Sequence, residues 1–265
     1  ATLDLRTSKI CRELDGKIFP LKDRKPGKNY PPMHPWCRST TISVIDEEIL
    51  RNMKRSAYNP KTGRTETVPA NMTYDQWYKK YVKGNAQAEA EEKSIQNASS
   101  DKKQYERYQE ILGKDAPKRF ADFQEMKYND SEKWRFMKLD YQRRNELLQH
   151  PELKLPNAEN AMAADAKFEK YLFGGSHPEG LAKGNAFSSR LGYDAENWNS
   201  LKKQIIARAP QYPVLSKGVN GYGKHMYEQK IVLYGLKGTP ANVVVGWSAD
   251  DKNVTMASVY IKEVK

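Results

Sequence analysis

Tyr227–Tyr234 reads YEQKIVLY, Asn242–Trp247 reads NVVVGW and Val254–Ile261 reads VTMASVYI. β-Branched and aromatic residues crowd these three runs. Turn formers separate them: Gly235–Pro240 between the first two, Asp250-Asp251-Lys252-Asn253 between the last two. Runs of that length and composition predict three antiparallel strands joined as a meander. Upstream the period changes. Asp165–Phe173 predicts a short helix stopped by Gly174-Gly175. Ala182–Leu191 predicts a second, closed by Gly192, and Trp198–Arg208 a third, begun after Asp194 and ended before Pro210. Helices followed by an antiparallel meander make an α+β layout, expected as one domain over 151–265. Phe187, Leu191, Trp198, Leu201 and Trp247 are its expected core.

Before this domain, residues 55–150 are expected to form a connecting region. Asn59-Pro60-Lys61-Thr62-Gly63 predicts a hairpin tip between Arg55–Tyr58 and Thr65–Val68. Thr73 with Gln76 three residues on predicts a capping box and a helix to about Val82. Residues 84–100 (GNAQAEAEEKSIQNASS) carry one Ile as their only large apolar group, so a linker is expected, with part helix left open. Residues 101–150 are helical in composition, with stripes such as Tyr105, Tyr108, Ile111, Leu112 and Phe120, Phe123, Met126. Residues 1–54 form a third piece. Its first 45 are rich in Pro, Gly and Asn turns and leave little room for regular structure, and a helix is expected from Ile45 to about Lys54.

The chain has 265 residues, 45 Lys+Arg against 33 Asp+Glu, and a net charge of +12 spread without a basic tail. This permits a nucleic-acid partner without arguing for one, since a solvated mixed-charge surface explains it. No run approaches the stretch of about 18 apolar residues that a membrane helix needs, so no membrane partner is expected. Two Cys cannot build a disulfide scaffold, which favours a cytoplasmic or intravirion setting. The first residue is Ala, not Met, so a piece of a longer protein is expected.

Cys11, His34 and Cys37 put three soft or borderline ligands in one segment. Two readings stay open: a structural zinc, or two free Cys with a His capping a turn. Residues 217–237 hold the densest set of groups suited to RNA cleavage. Lys217, Tyr222, Lys224 and Lys237 are candidate substrate contacts, and His225, Tyr227 and Lys230 candidate catalytic groups, with Glu228 the only acid. Cleavage without a metal needs a base for the 2′-hydroxyl, an acid for the leaving oxygen and cations for the phosphorane charge, and His titrates in the right range. Period two puts His225, Tyr227 and Gln229 on one strand face and Lys224, Met226, Glu228 and Lys230 on the other. An exposed Gly-rich hairpin carrying solubilising Lys explains the same residues. Ser258 and Tyr260 share a strand face by their spacing of two. No phosphate-loop, nucleophile-elbow or H-E-x2-H motif is present.

Two blocks resemble known families. Arg6-Thr7, Cys11–Phe19 (CRELDGKIF), Gly27–Ser39 (GKNYPPMHPWCRS) are similar to the closing segment of phage Mu F-like minor head proteins. This implies a tailed-phage capsid protein near the portal, with portal and capsid partners and a virion location. Relatives in that family carry a Cys where Ser8 stands, which leaves the fourth metal ligand to Asp4 or Asp15. Leu155–Ala161 (LPNAENA), Lys167, Tyr171-Leu172, His177-Pro178, Gly180, Lys183, Phe187, Leu191-Gly192-Tyr193, Trp198, Tyr222-Gly223, Gly235, Gly238 and Trp247 resemble a domain family found on phage head proteins and polymorphic toxins. That family has been proposed to share the barnase–EndoU–colicin–RelE nuclease fold. The resemblance implies a metal-independent ribonuclease-like effector delivered with the genome into the host cytoplasm, acting on RNA rather than DNA, with an immunity protein as partner. Lys183 stands on a matching position of that family, with two roles open, a cation for phosphate or a tie to the C-terminus of another element, and the hydroxyl-bearing last strand with Ser258 and Tyr260 is similar to that group's. The alternative is a non-enzymatic module near the portal.

Overall fold

The computed structural model describes residues 1–44, 48, 52–250 and 252–264. These form two compact units, 1–103 and 104–265, with mixed α+β content.

In the first unit, β1 (Lys54–Asn59) and β2 (Arg64–Pro69) pair antiparallel, Lys54 opposite Pro69 and Asn59 opposite Arg64. The tip closes as the sequence predicts. Gly63 takes φ +67°, and its amide donates to the Asn59 carbonyl at 2.9 Å. The helix Tyr74–Tyr81 starts with the expected reciprocal box between Thr73 and Gln76. It buries Trp77 completely, and the indole N–H donates to the Tyr58 carbonyl at 2.8 Å. The helix expected from Ile45 falls on 45–47 and 49–51, outside the described residues, and Lys54 belongs to β1.

The segment 84–100 departs from expectation. Ala86–Gln96 is a helix, capped by the Asn85 side chain. Its packing groups are small: Ala88 and Ala90 are buried. Glu92 is buried with them and accepts from Arg12 Nη1 and Tyr78 Oη, both at 2.8 Å. Composition suggested too little apolar surface. The deficit is met by alanine packing and by a carboxylate whose hydrogen bonds are satisfied from distant parts of the unit.

In the second unit, residues 104–112 of helix Ala98–Leu112 and the helices Phe120–Asn129 and Ser131–Gln149 build an aromatic cluster. Tyr108 stacks on Tyr141 at 4.2 Å, and Phe123 meets Trp134 edge-on at 5.3 Å. The sheet has strand order β3-β7-β6-β5-β4. The three predicted strands are β5 (His225–Tyr234), β6 (Pro240–Ala249) and β7 (Val254–Ile261). Two more were not anticipated: β4 (Val214–Val219), an exposed edge strand, and the two-residue β3 (Ala161–Met162), parallel to the start of β7. One sheet face carries Ile231, Leu233, Val243, Val245, Trp247 and Met256. They pack with Phe187 and Leu191 of helix Pro178–Leu191 and with Leu201 and Ile205 of helix Trp198–Arg208. The opposite face buries Val232 and Val244 at the end where helix Ser131–Gln149 contacts β5 and β6. Gln229 lies in the core with its amide satisfied. Nε2 donates to the carbonyls of Ala209 and Tyr212, and Oε1 accepts from Trp247 Nε1.

The helix predicted at Asp165–Phe173 is a π-helix, Lys167–Leu172, in which the Phe173 amide reaches back to the Phe168 carbonyl at 3.0 Å. Helix Pro178–Leu191 begins four residues earlier than expected and presses against it. A Cβ on Gly180 would sit 2.2 Å from the Tyr171 carbonyl oxygen, and one on Gly184 1.8 Å from that of Leu172. Glycine at these two positions lets the backbones touch. Among the described residues no helix is long and apolar enough to cross a membrane.

Candidate functional site

Cys11 sits on the short helix Lys9–Leu14, whose N-cap is Ser8. A tight turn carries His34 and Cys37, with the Cys37 amide donating to the His34 carbonyl at 3.1 Å. Trp36 inside this turn takes φ +63°, a left-handed value rare for a bulky residue, and its side chain is 95% exposed. The indole is turned to solvent while the two ligand residues that flank it face Cys11.

Cys11 Sγ lies 3.3 Å from His34 Nε2 and 3.8 Å from Cys37 Sγ. All three ligand atoms fall within 4.8 Å of one another. Tetrahedral zinc, with Zn–S near 2.3 Å and Zn–N near 2.0 Å, requires S···S of about 3.8 Å and S···N of about 3.5 Å. The two separations from Cys11 fit. The His34 Nδ1–H donates to the Pro35 carbonyl at 2.7 Å, so Nε2 presents its lone pair to the cysteines. Burial pushes the Cys37 thiol up, but hydrogen bonds at the Met33 and Ser39 backbones and from Ser39 and Cys11 bring it down to about 6. The thiolate is the form a metal takes.

Neither carboxylate expected as a fourth ligand is available. Asp4 is held by Arg38 Nη2 at 2.9 Å and by the Thr7 hydroxyl at 2.9 Å. Asp15 is buried and accepts from Arg55 at 3.1 Å and from the Tyr74 amide at 2.7 Å. The oxygen at hand is Ser8 Oγ, 2.8 Å from His34 Nε2. A cavity of about 40 Å³ beside Cys11, His34 and Ser8 has room for one water.

The candidate groups of the second unit fall in two places. On the β4–β5 ribbon, Tyr222 is 91% exposed at the turn. Lys217 and Lys230 both approach Glu228, at 3.6 and 4.0 Å, and Lys224 pairs with Asp250 at 3.2 Å. Tyr227 packs against the core. His225 opens β5, exposed, its imidazole without a hydrogen-bond partner among the described residues. Lys237 lies in the β5–β6 turn, at the other end of β5. These side chains do not converge on one point, and most of the lysine charge faces carboxylates.

Lys183, Ser258 and Tyr260 do come together. Lys183 and Ser258 line a cleft of about 400 Å³ between the π-helix, helix Pro178–Leu191 and β7. Lys183 Nζ bonds Glu179 at 2.6 Å and lies 5.7 Å from the ring centres of both Tyr171 and Tyr260. The Glu179 bond holds this ammonium above its ordinary value. Lys230 stands in the same cross-strand row as Tyr260, two strands away, about 10 Å. Sequence reasoning did not assign a chemical role to Lys167 and Tyr171, which line the cleft, or to His177, whose ring lies 5.4 Å from that of Tyr171. The spacing of four between Lys167 and Tyr171 was the one available signal.

Residues 1–42 match the model of the family described as Phage Mu protein F like protein. Residues 154–263 match a domain of unknown function, DUF6883. No curated protein and no solved structure matches the chain.

Proposed function

We propose that the chain works in the head of a tailed phage, as the closing part of a minor head protein near the portal, and that zinc bound to Cys11, His34 and Cys37 fixes its loop-rich segment. The observation that carries this is the fit of the Cys11–Cys37 and Cys11–His34 separations to a tetrahedral ligand set, in a segment matched by the phage family model. Bound zinc supplies a cross-link between the helix at Cys11 and the turn at His34–Cys37. Such a link suits a segment without its own core: Ile18, Leu21, Trp36 and Ile42 are all exposed. Ser8 Oγ or a single water completes the four positions. Elemental analysis of the whole chain should find one zinc, lost in Cys37→Ser. A chain that refolds with zinc and retains none removes the metal from this reading.

We infer further that 151–265 is a ribonuclease-like effector delivered with the genome to the host cytoplasm. Three groups selected for chemistry, Lys183, Ser258 and Tyr260, meet around one cleft, which favours this reading. Phosphate contacts by lysine imply binding that weakens as salt rises. Expression of the whole chain in bacteria should slow growth and degrade total RNA, and Lys183→Ala should abolish both. Harmless expression with intact RNA, together with capture of portal protein, favours a structural module instead.

A further inference from the structure

The strand β3 covers only the start of β7, pairing with Val254 and Thr255. Beyond them the edge of β7 has no strand partner among the described residues and forms one wall of the cleft. A register shift against β6 leaves Ala257 as an extra residue between Met256 and Ser258. Bulges of this kind re-aim neighbouring side chains. The Ala257 carbonyl accepts from Lys167 Nζ at 2.6 Å, which fixes that ammonium at the cleft and leaves it two further donors. Ser258 is exposed, and its hydroxyl has no partner among the described residues. It stands over Gly246, where any Cβ would lie 2.5 Å from Oγ. The remaining lining is largely apolar, including Leu172, Met256 and Val259, with the Tyr171 ring beside them.

We propose that this cleft binds the phosphate-bearing end of a nucleotide, with Lys183, Lys167 and the Ser258 hydroxyl taking the phosphate and Tyr171 with the apolar wall taking the base. Two ammoniums and a hydroxyl suit a tetrahedral dianion, whereas a planar carboxylate is better met by the arginine fork, which the lining lacks. A volume of about 400 Å³ admits a mononucleotide and is small for a peptide segment. An aromatic face beside a cation is the usual platform for a base. Glu179, which holds Lys183 at rest, is exposed, and exposed pairs hold weakly. A phosphate displaces it. The choice of a nucleotide rests on the RNA-directed reading above; the cleft and its charge do not.

The test is titration of the whole chain with adenosine 3′-monophosphate, inorganic phosphate and adenosine, followed by calorimetry and amide NMR shifts. The nucleotide should bind most tightly and should shift signals at 167–172 and 256–259. Lys183→Met and Lys167→Met should each weaken it about tenfold, as expected for loss of one charge-assisted contact. Ser258→Ala should weaken it less, and Glu179→Gln should strengthen it. Lys133→Met, on helix Ser131–Gln149 and outside the cleft lining, should change nothing. Undiminished affinity in folded Lys183→Met, or shifts confined to the β4–β5 ribbon, overturns the proposal. Cleavage of RNA with the nucleotide bound elsewhere would sink the cleft and spare the nuclease. Binding in the cleft without any cleavage would do the reverse. If inorganic phosphate binds as tightly as the nucleotide, the base subsite falls.

Discussion

Tyr234 donates its hydroxyl to Asp140 Oδ2 at 3.1 Å, and so ties the end of β5 to helix Ser131–Gln149. Asp140 is fully buried. It accepts as well from Arg144 Nε at 2.7 Å and from the Tyr212 hydroxyl. Arg144 continues to Asp115 at 2.6 Å, and Asp115 receives Arg208 at 3.0 Å through both oxygens. The network joins the helical segment, helix Trp198–Arg208 and the sheet.

Breaking this network from its centre should be costly. Asp140→Ala leaves Arg144 with Asp115 but strands the Tyr212 and Tyr234 hydroxyls and half of the guanidinium's pairing, and a loss of about 3–5 kcal/mol is expected. Tyr234→Phe removes one hydrogen bond and should cost about 1 kcal/mol. Urea unfolding of both variants decides it. Equal, small losses would mean that the network adds little to stability.

The same network sets an acid limit. Burial pushes the Asp115 carboxyl up, but Arg208 and Arg144 outweigh it and hold the group below the usual carboxylate range. A depressed carboxylate stabilises the fold above its unfolded value, about 4, and that contribution disappears as pH falls through the lower folded value. Melting temperature should therefore drop below pH 4, and Asp115→Asn should flatten that limb while lowering stability at pH 7. An unchanged acid limb in the variant would discount Asp115.

At alkaline pH, Tyr234 behaves in the opposite sense. Burial first, and then the Asp140 charge, raise its phenol well above the ordinary tyrosine value. The folded state keeps the proton after the unfolded state has begun to lose it near pH 10, so stability declines from there upward. Tyr234→Phe should show a shallower decline between pH 9.5 and about 11. Parallel curves would refute the assignment.

Gly184 tests how the cleft is held. Gly184→Ala drives a Cβ into the Leu172 carbonyl and should cost about 1–3 kcal/mol while pushing the π-helix off Lys183. Gly221→Ala meets nothing within 4 Å and should be close to neutral. Thermal melts and amide shifts at 167–172 report both. A tolerated Gly184→Ala with unmoved shifts would contradict the close packing.

Removal of metal should loosen one segment only. With a chelator, trypsin should cut faster at Lys17–Lys28 while the hairpin and helix at 54–81 stay protected. Asp4→Asn should keep its zinc, because Arg38 and not a metal occupies that carboxylate. Zinc loss in Asp4→Asn would restore it as a ligand.

The sequence by itself settled what is local. The Thr73–Gln76 box, the Asn59–Gly63 tip and the three strands with their turns are written in a few consecutive residues, because caps, turns and period-two patterns are short-range physics. It also supplied the residue types for metal, Cys11, His34 and Cys37. Tertiary structure decided what lies beside what. Glu92 is buried because Arg12, eighty positions away, meets it, so a stretch that read as a linker is a helix. Asp4 and Asp15 are denied to a metal by Arg38 and Arg55. Lys183 joins Ser258 and not His225, because glycines at 180 and 184 let one helix sink against a π-turn and carry that lysine to the open edge of β7. Side-chain convergence depends on packing between segments distant in the chain, and no local pattern encodes it.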